Sequence, residues 1–162
     1  MNDLSLTGDN AIEKADFFCN EDSNKPNDSN YKALLSDGIF RDAATQTNWV
    51  LQPNTTYYRA HSNTIIGTTN DMGIFDFTFI PLVNGVVERC NCGDDNRFSW
   101  TGINPTDFST HEDTCNGWSS NDISVSGMTG NHISTDSQSF GHESGVFTGC
   151  HFTAYLYCVE QP

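Results

Sequence analysis

A chain of 162 residues is long enough to bury a core, and its 3 Trp, 5 Tyr and 11 Phe supply much of the apolar area for one, although the hydrophobic fraction is only 36%. Seven Lys and Arg face 21 Asp and Glu, a formal charge of −14, and no Lys or Arg follows Arg97. This balance argues against nucleic acid as a partner, because phosphate contacts need cations, and it disfavours anionic membranes and glycosaminoglycans. The best apolar run, Ile74 to Val83, is interrupted by Asp76, Thr78 and Pro81 and is too short to cross a bilayer, so membrane insertion is not expected.

In chain order, the sequence predicts one domain over residues 1–162, with residues 1–9 as a flexible N-terminal segment. Asp9 or Asn10 is placed to cap a short helix, with Glu13 positioned for a capping box and Ile12, Ala15 and Cys19 on one face, flanked by Phe18. Glu21 to Asn30 is polar, contains Pro26 and reads as a loop. Tyr31 to Leu35 reads as a strand and Arg41 to Trp49 as a second helix. Over Ile74 to Ile80 the odd positions are apolar, the pattern of a strand with one buried face. Val86 to Arg89, Phe98 to Ile103 and Phe152 to Val159 are further strands. Between the last two lies a long Ser, Thr, Asn and Gly-rich stretch with no internal repeat. So long an irregular segment needs something to hold it.

Six cysteines, Cys19, Cys90, Cys92, Cys115, Cys150 and Cys158, occur with no C-x-x-C pair, which favours disulfides and an oxidising compartment over a zinc or redox motif. Met1-Asn2-Asp3 has none of the character of a signal peptide, so an export signal is expected to be absent from this sequence. Cys90 and Cys92 flank a single Asn. They are read as a local disulfide clipping a hairpin, as an inter-subunit pair, or as a reducible or metal-binding pair. Asp94, Asp95 and Asn96 follow in a turn and are weak candidates for calcium.

No catalytic residue is assigned. G-x-S-x-G is absent, and no H-E-x-x-H or similar spacing joins His111, His132, His142 and His151. These histidines read as solvated loop residues, with a metal site or a pH switch as the sharper alternative.

Several segments resemble the C-type lectin-like superfamily, and within it a family of bacterial surface and secreted domains of unknown function. They are Ala15-Asp16-Phe17-Phe18-Cys19, Tyr31-Lys32-Ala33-Leu34-Leu35-Ser36-Asp37-Gly38, Trp100-Thr101-Gly102-Ile103, Thr114-Cys115-Asn116-Gly117-Trp118, and Cys150 followed by Tyr155-Leu156-Tyr157-Cys158-Val159-Glu160-Gln161. The resemblance implies an α+β fold: a small antiparallel sheet, one or two short helices and a long disulfide-pinned loop region. It implies the bonds Cys19–Cys158 and Cys115–Cys150, and a core position for Trp100. The superfamily's calcium–sugar triplet has no counterpart in the loop region: Gln52-Pro53-Asn54 occurs too early. Gly145-Val146-Phe147-Thr148-Gly149 stands where Trp-Asn-Asp is found in calcium-dependent members. No cofactor is therefore expected, and calcium is not needed for the fold.

The function so implied is a non-catalytic recognition or adhesion module, secreted or on a bacterial surface, that binds a glycan or a host or environmental protein. A structural or oligomerisation domain is the alternative, and an atypical hydrolase a third. For a recognition module the contacts are expected between Asn104 and Gly149, where the donors must be uncharged. Candidate ligand-binding residues are Asn116, Trp118, Asn121, Asp122, Asn131 and His132. Trp118 has two readings, packing against the Cys115 disulfide or stacking on a sugar ring.

Overall fold

The amino-terminal helix forms where the capping pattern places it. In a computed structural model, which describes residues 7–78, 80–88, 98–142 and 148–162, α1 runs Ala11–Glu21. The Asn10 side chain accepts from the Glu13 amide at 3.0 Å, and Glu13 Oε2 accepts from the Asp9 amide at 2.7 Å. The return bond lands one residue earlier than in a standard capping box, on the amide of the residue that precedes the cap. Ile12, Ala15 and Cys19 are fully buried, and Phe18 beside them is half exposed.

Among the described residues nine short strands follow: β1 (Tyr31–Ala33), β2 (Thr56–Tyr58), β3 (Ile65–Thr68), β4 (Phe98–Trp100), β5 (Ser126–Gly127), β6 (Thr129–Asn131), β7 (Thr148–Gly149), β8 (Tyr155–Leu156) and β9 (Cys158–Glu160). They form β1–β9, β2–β3 and β5–β7 antiparallel pairs and a three-stranded sheet in the order β6–β4–β8. In that sheet β4 is antiparallel to β6 and parallel to β8. The architecture is thus a small mixed helix–strand fold with small, mainly antiparallel sheets. Both implied disulfides are present. Cys19–Cys158 ties α1 to the last strand, whose partner β1 packs on α1, and Cys115–Cys150 crosses the polar stretch. Cys90 and Cys92 lie outside the described residues.

Three sequence expectations are corrected. Arg41 to Trp49 is not a helix. Asp37 Oδ1 accepts from the amides of Ile39, Phe40 and Arg41, which turns the chain just before the segment begins. Asp42 bridges Thr47, and Gln46 and Asn48 adopt positive φ, which no right-handed helix accommodates. Arg41 itself is fully buried. Its guanidinium forks onto both Asp16 carboxylate oxygens at 2.9 and 2.7 Å, and it donates to the carbonyls of Ala33 and Asn48.

Ile74 to Ile80 carries no strand among its described residues, although the inward alternation survives: Phe75 is buried and Phe77 packs on the core, while Asp76 and Thr78 are exposed. The Asp76 side chain accepts from the Thr78 amide, and this local bond takes the place of a ladder. Val86 to Glu88 likewise forms no strand, and only Val87 donates across, to the His132 carbonyl. Phe79 and Arg89 lie outside the described residues. The other strand expectations hold in shortened form, with Tyr31 to Leu35 reduced to β1, Phe98 to Ile103 to β4, and Phe152 to Val159 split into β8 and β9.

Two apolar clusters result. One gathers rings contributed by distant segments: Phe75 stacks on Phe140 at 5.3 Å and nearly parallel, and Phe108 meets both Phe140 and Trp49. The other joins α1 and β1 to Trp100, Trp118 and the Cys115–Cys150 bond.

Candidate functional site

The polar stretch is organised around a single left-handed turn. Cys115, Asn116, Gly117 and Trp118 have φ of 52°, 55°, 65° and 62°. Only Gly117 adopts that region without steric cost, and for the other three left-handed backbone costs roughly 1–2 kcal/mol per residue, least for Asn. The surroundings over-determine the turn. Thr114 Oγ1 accepts from the Gly117 amide, the Trp118 amide donates to the Thr114 carbonyl at 2.6 Å, and the Ser119 and Ser120 amides share the Cys115 carbonyl. At one end Cys115 is bonded to Cys150. At the other, Trp118 is 3% exposed, packs edge-on to Trp100 at 5.7 Å, and donates from Nε1 to the Ser36 carbonyl at 2.9 Å.

Two glycines make room for this packing. A Cβ on Gly102, itself at φ 64°, would collide with the Ser36 carbonyl and come within 2.7 Å of the Trp118 ring. One on Gly127 would come within 2.6 Å of both Cys115 Sγ and the Trp100 ring.

The surface next to the turn combines polar and apolar groups. Asn116, Asn121 and Asp122 are exposed. Asp122 Oδ1 accepts from the Ser124 amide and hydroxyl, both at 2.8 Å. The Ser124 amide, then its hydroxyl, and then nearby His151 hold the Asp122 carboxyl below the ordinary range. Pairing of β5 with β7 and the bond from the Cys150 amide to the Val125 carbonyl bring residues 149–152 to the same edge. Ile123 is 72% exposed and Phe152 57% exposed there, with the His151 ring centroid 4.1 Å from that of Phe152.

The predicted site residues therefore divide. Asn116, Asn121 and Asp122 share one short exposed segment. Trp118 is buried, so the packing reading holds and it offers no face to a sugar. Asn131 is half-buried in β6 and accepts from the Ile133 amide. His132 is 4% exposed beside Tyr155, with no partner for Nδ1 among the described residues, and burial lowers its pKa. It follows β6 directly and is buried, which corrects the expectation of a solvated loop histidine at this position. Asp94, Asp95 and Asn96 lie outside the described residues. No group of three or more His, Cys, Asp or Glu placed to hold a metal occurs among the described residues. Ile123 and Phe152 carry no signal of this surface in the sequence, and His151 reads there only as one of four loop histidines, because the stitching of the two segments is three-dimensional.

Ser126, Asp113 and His111 have the residue types of a catalytic triad but not its order. The Ser126 hydroxyl donates to Asp113 Oδ1, and Asp113 Oδ2 lies 3.4 Å from His111 Nδ1. The carboxylate sits between hydroxyl and imidazole, so the imidazole is not the hydroxyl's hydrogen-bond partner. His111 Nδ1 instead accepts from the Asp113 amide. The order needed for an activated serine, hydroxyl to imidazole to carboxylate, is not formed.

A concavity of about 530 Å3 opens away from this surface, between the β1–β9 pair and the β2–β3 hairpin. Residues from widely separated segments line it, and none comes from the pinned turn.

These features define a disulfide-bonded helix–strand protein with a polar surface beside the pinned turn and an apolar cavity elsewhere. The family described as protein of unknown function (DUF1554) matches residues 5–135, and the chain belongs to it. The matched residues stop short of Cys150 and Cys158, the second partners of both disulfides. No curated protein and no solved structure matches the chain.

Proposed function

We propose that the chain is a non-catalytic extracellular recognition module with a C-type lectin-like fold, binding a neutral glycan or a protein ligand at the disulfide-pinned surface. The observation that carries this reading is the left-handed turn. It is a strained segment held by a disulfide, a buried Trp and two tight glycine contacts, and it presents Asn116 beside Asn121 and Asp122. Backbone strain persists where the surroundings enforce it, and it is concentrated at ligand clamps and active sites. Pre-ordering also lowers the entropic cost of binding.

The fold assignment is supported by a disulfide joining first helix to last strand and a second one pinning the polar stretch, the two bonds the resemblance implies. Those disulfides fit an extracellular protein, and no described helix is long and apolar enough to cross a membrane. The absence of Lys and Arg beyond Arg97 selects neutral ligands, whose hydroxyls suit amides and carboxylates. The aromatic face falls to Phe152 rather than Trp118, and a bacterial surface or secreted setting follows from the resemblance.

A glycan and host-cell binding screen, run with and without calcium, tests the proposal. Phe152→Ala and Asp122→Ala should each weaken binding about tenfold at unchanged thermal midpoint. A concentration-dependent oligomer that binds nothing supports the structural alternative and contradicts this reading, and preference for heparin over neutral glycans contradicts the ligand class.

A further inference from the structure

The cavity between the β1–β9 pair and the β2–β3 hairpin has the size and lining of a ligand site. At about 530 Å3 it falls within the range of small-molecule pockets, roughly 300–1,000 Å3. Leu34, Leu51, Ile66, Phe75 and Phe140 form an apolar floor. These five side chains are themselves at most 7% exposed, so the floor is core rather than loosely covered surface.

Polar side chains share its wall, among them Tyr31, Thr56, Tyr57 and Tyr58, and they differ in how far their hydrogen bonds are already used. Tyr57 lines the cavity half-buried, its ring edge-on to Phe75 at 6.0 Å. Its hydroxyl oxygen accepts from the Gln52 amide at 2.7 Å, and no group among the described residues accepts its proton. Burial raises the pKa of this phenol, so it stays a proton donor across the physiological range. Gln161 spends its Nε2 on the Val50 and Val159 carbonyls. Among the described lining residues Glu160 is the only acidic side chain, and none is Lys or Arg.

We infer that this cavity binds an uncharged lipophile, an acyl chain bearing an ester carbonyl or hydroxyl oxygen that accepts the Tyr57 proton. The apolar floor takes the hydrocarbon, and Tyr57 supplies a directional contact at its edge. A half-buried donor without an acceptor gains most from such an oxygen, since the bond replaces a hydration the wall partly denies it. Charge selects the head group. With Glu160 on the wall, no cation opposite and −14 on the whole chain, a fatty-acid carboxylate is repelled while its neutral glycerol ester is not. The site is separate from the recognition surface, because neither Asp122 nor Phe152 lines it.

The test is a titration of the whole chain with N-phenyl-1-naphthylamine, an uncharged dye that brightens in apolar sites, with displacement by 1-monodecanoylglycerol or decanoate below their micelle concentrations. Saturable binding is expected, with the ester displacing the dye at concentrations at least tenfold lower than decanoate does at pH 8. Tyr57→Phe should weaken the ester about tenfold and leave the dye, which needs no donor, unchanged. Thr56→Trp, at a half-exposed lining position on β2, should weaken both at least tenfold, with the thermal midpoint reporting that the variant folds. Lack of saturable dye binding by the unmodified chain overturns the inference. So does equal competition by decanoate and ester, or an unaltered ester affinity in Tyr57→Phe.

Discussion

Removing the Cys115–Cys150 bond, by replacing both residues with Ser, tests whether the left-handed turn owes its persistence to that bond or to its neighbours. The two cysteines are 35 residues apart. Loop-closure entropy for that span gives about 4 kcal/mol of stability at 25 °C. Unwinding the turn would return part of this, because Cys115, Asn116 and Trp118 hold left-handed backbone at roughly 1–2 kcal/mol each. The turn is also held by the Trp118 indole on the Ser36 carbonyl and by burial of the Trp118 ring, neither of which the substitution touches. It should therefore stay wound, and close to the full 4 kcal/mol should be lost. In urea at pH 7, with Cys19–Cys158 intact, this appears as a lower midpoint, and in heat as a fall of about 8–16 °C. Amide exchange at Trp118, Ser119 and Ser120, which donate to Thr114 and Cys115 carbonyls, should remain slow. A loss below about 1 kcal/mol, or full exposure of those three amides, would refute the reasoning.

Three further outcomes follow from the same contacts. Arg41→Met takes the guanidinium from the Asp16 carboxylate, which keeps the Ala33 amide, and from the Ala33 and Asn48 carbonyls, and equilibrium unfolding should show a loss of about 3 kcal/mol; a loss under 1 kcal/mol contradicts a buried pair. Trp118→Phe keeps an aromatic ring but leaves the Ser36 carbonyl without its indole donor, costing about 1–3 kcal/mol by the same assay. Burial lowers the His132 pKa, so as pH falls the unfolded chain takes up this proton first: the contribution is complete above about pH 6.5 and shrinks as pH drops below it. His132→Gln should flatten stability between pH 7 and 5, and an unchanged slope removes His132 from the acid response.

Local signals in the sequence were reliable where the chain obeys local rules. Asn10 and Glu13 announce the helix start, and the spacing of Ile12, Ala15 and Cys19 its buried face. The disulfides came from the ordered resemblance, not from spacing, since six cysteines allow 15 connectivities. Arg41 to Trp49 misled because its outcome depends on Asp37, four residues upstream, and on the buried partner Asp16, 25 residues away. At Ile74 to Ile80 the alternation correctly reported inward Phe75 and Phe77. Alternation records burial, however, and not whether a neighbouring strand exists to complete a ladder. Trp118 was ambiguous for the same reason: an aromatic in a polar stretch looks exposed until Gly102, Gly127 and Ser36 are folded around it. The apolar cavity was illegible altogether, because its lining comes from segments between residues 26 and 162 that no window of sequence joins.

The most direct measurement of the central claim is binding to an array of neutral, sialylated and sulfated glycans together with host and environmental proteins, comparing the unmodified chain with the double variant Asp122→Ala/Phe152→Ala. The account predicts binding to a neutral glycan or a protein in the unmodified chain, unaffected by a calcium chelator, and lost by at least tenfold in a double variant whose thermal midpoint is unchanged. Undiminished binding by the double variant, or binding confined to sulfated or sialylated glycans, would contradict it.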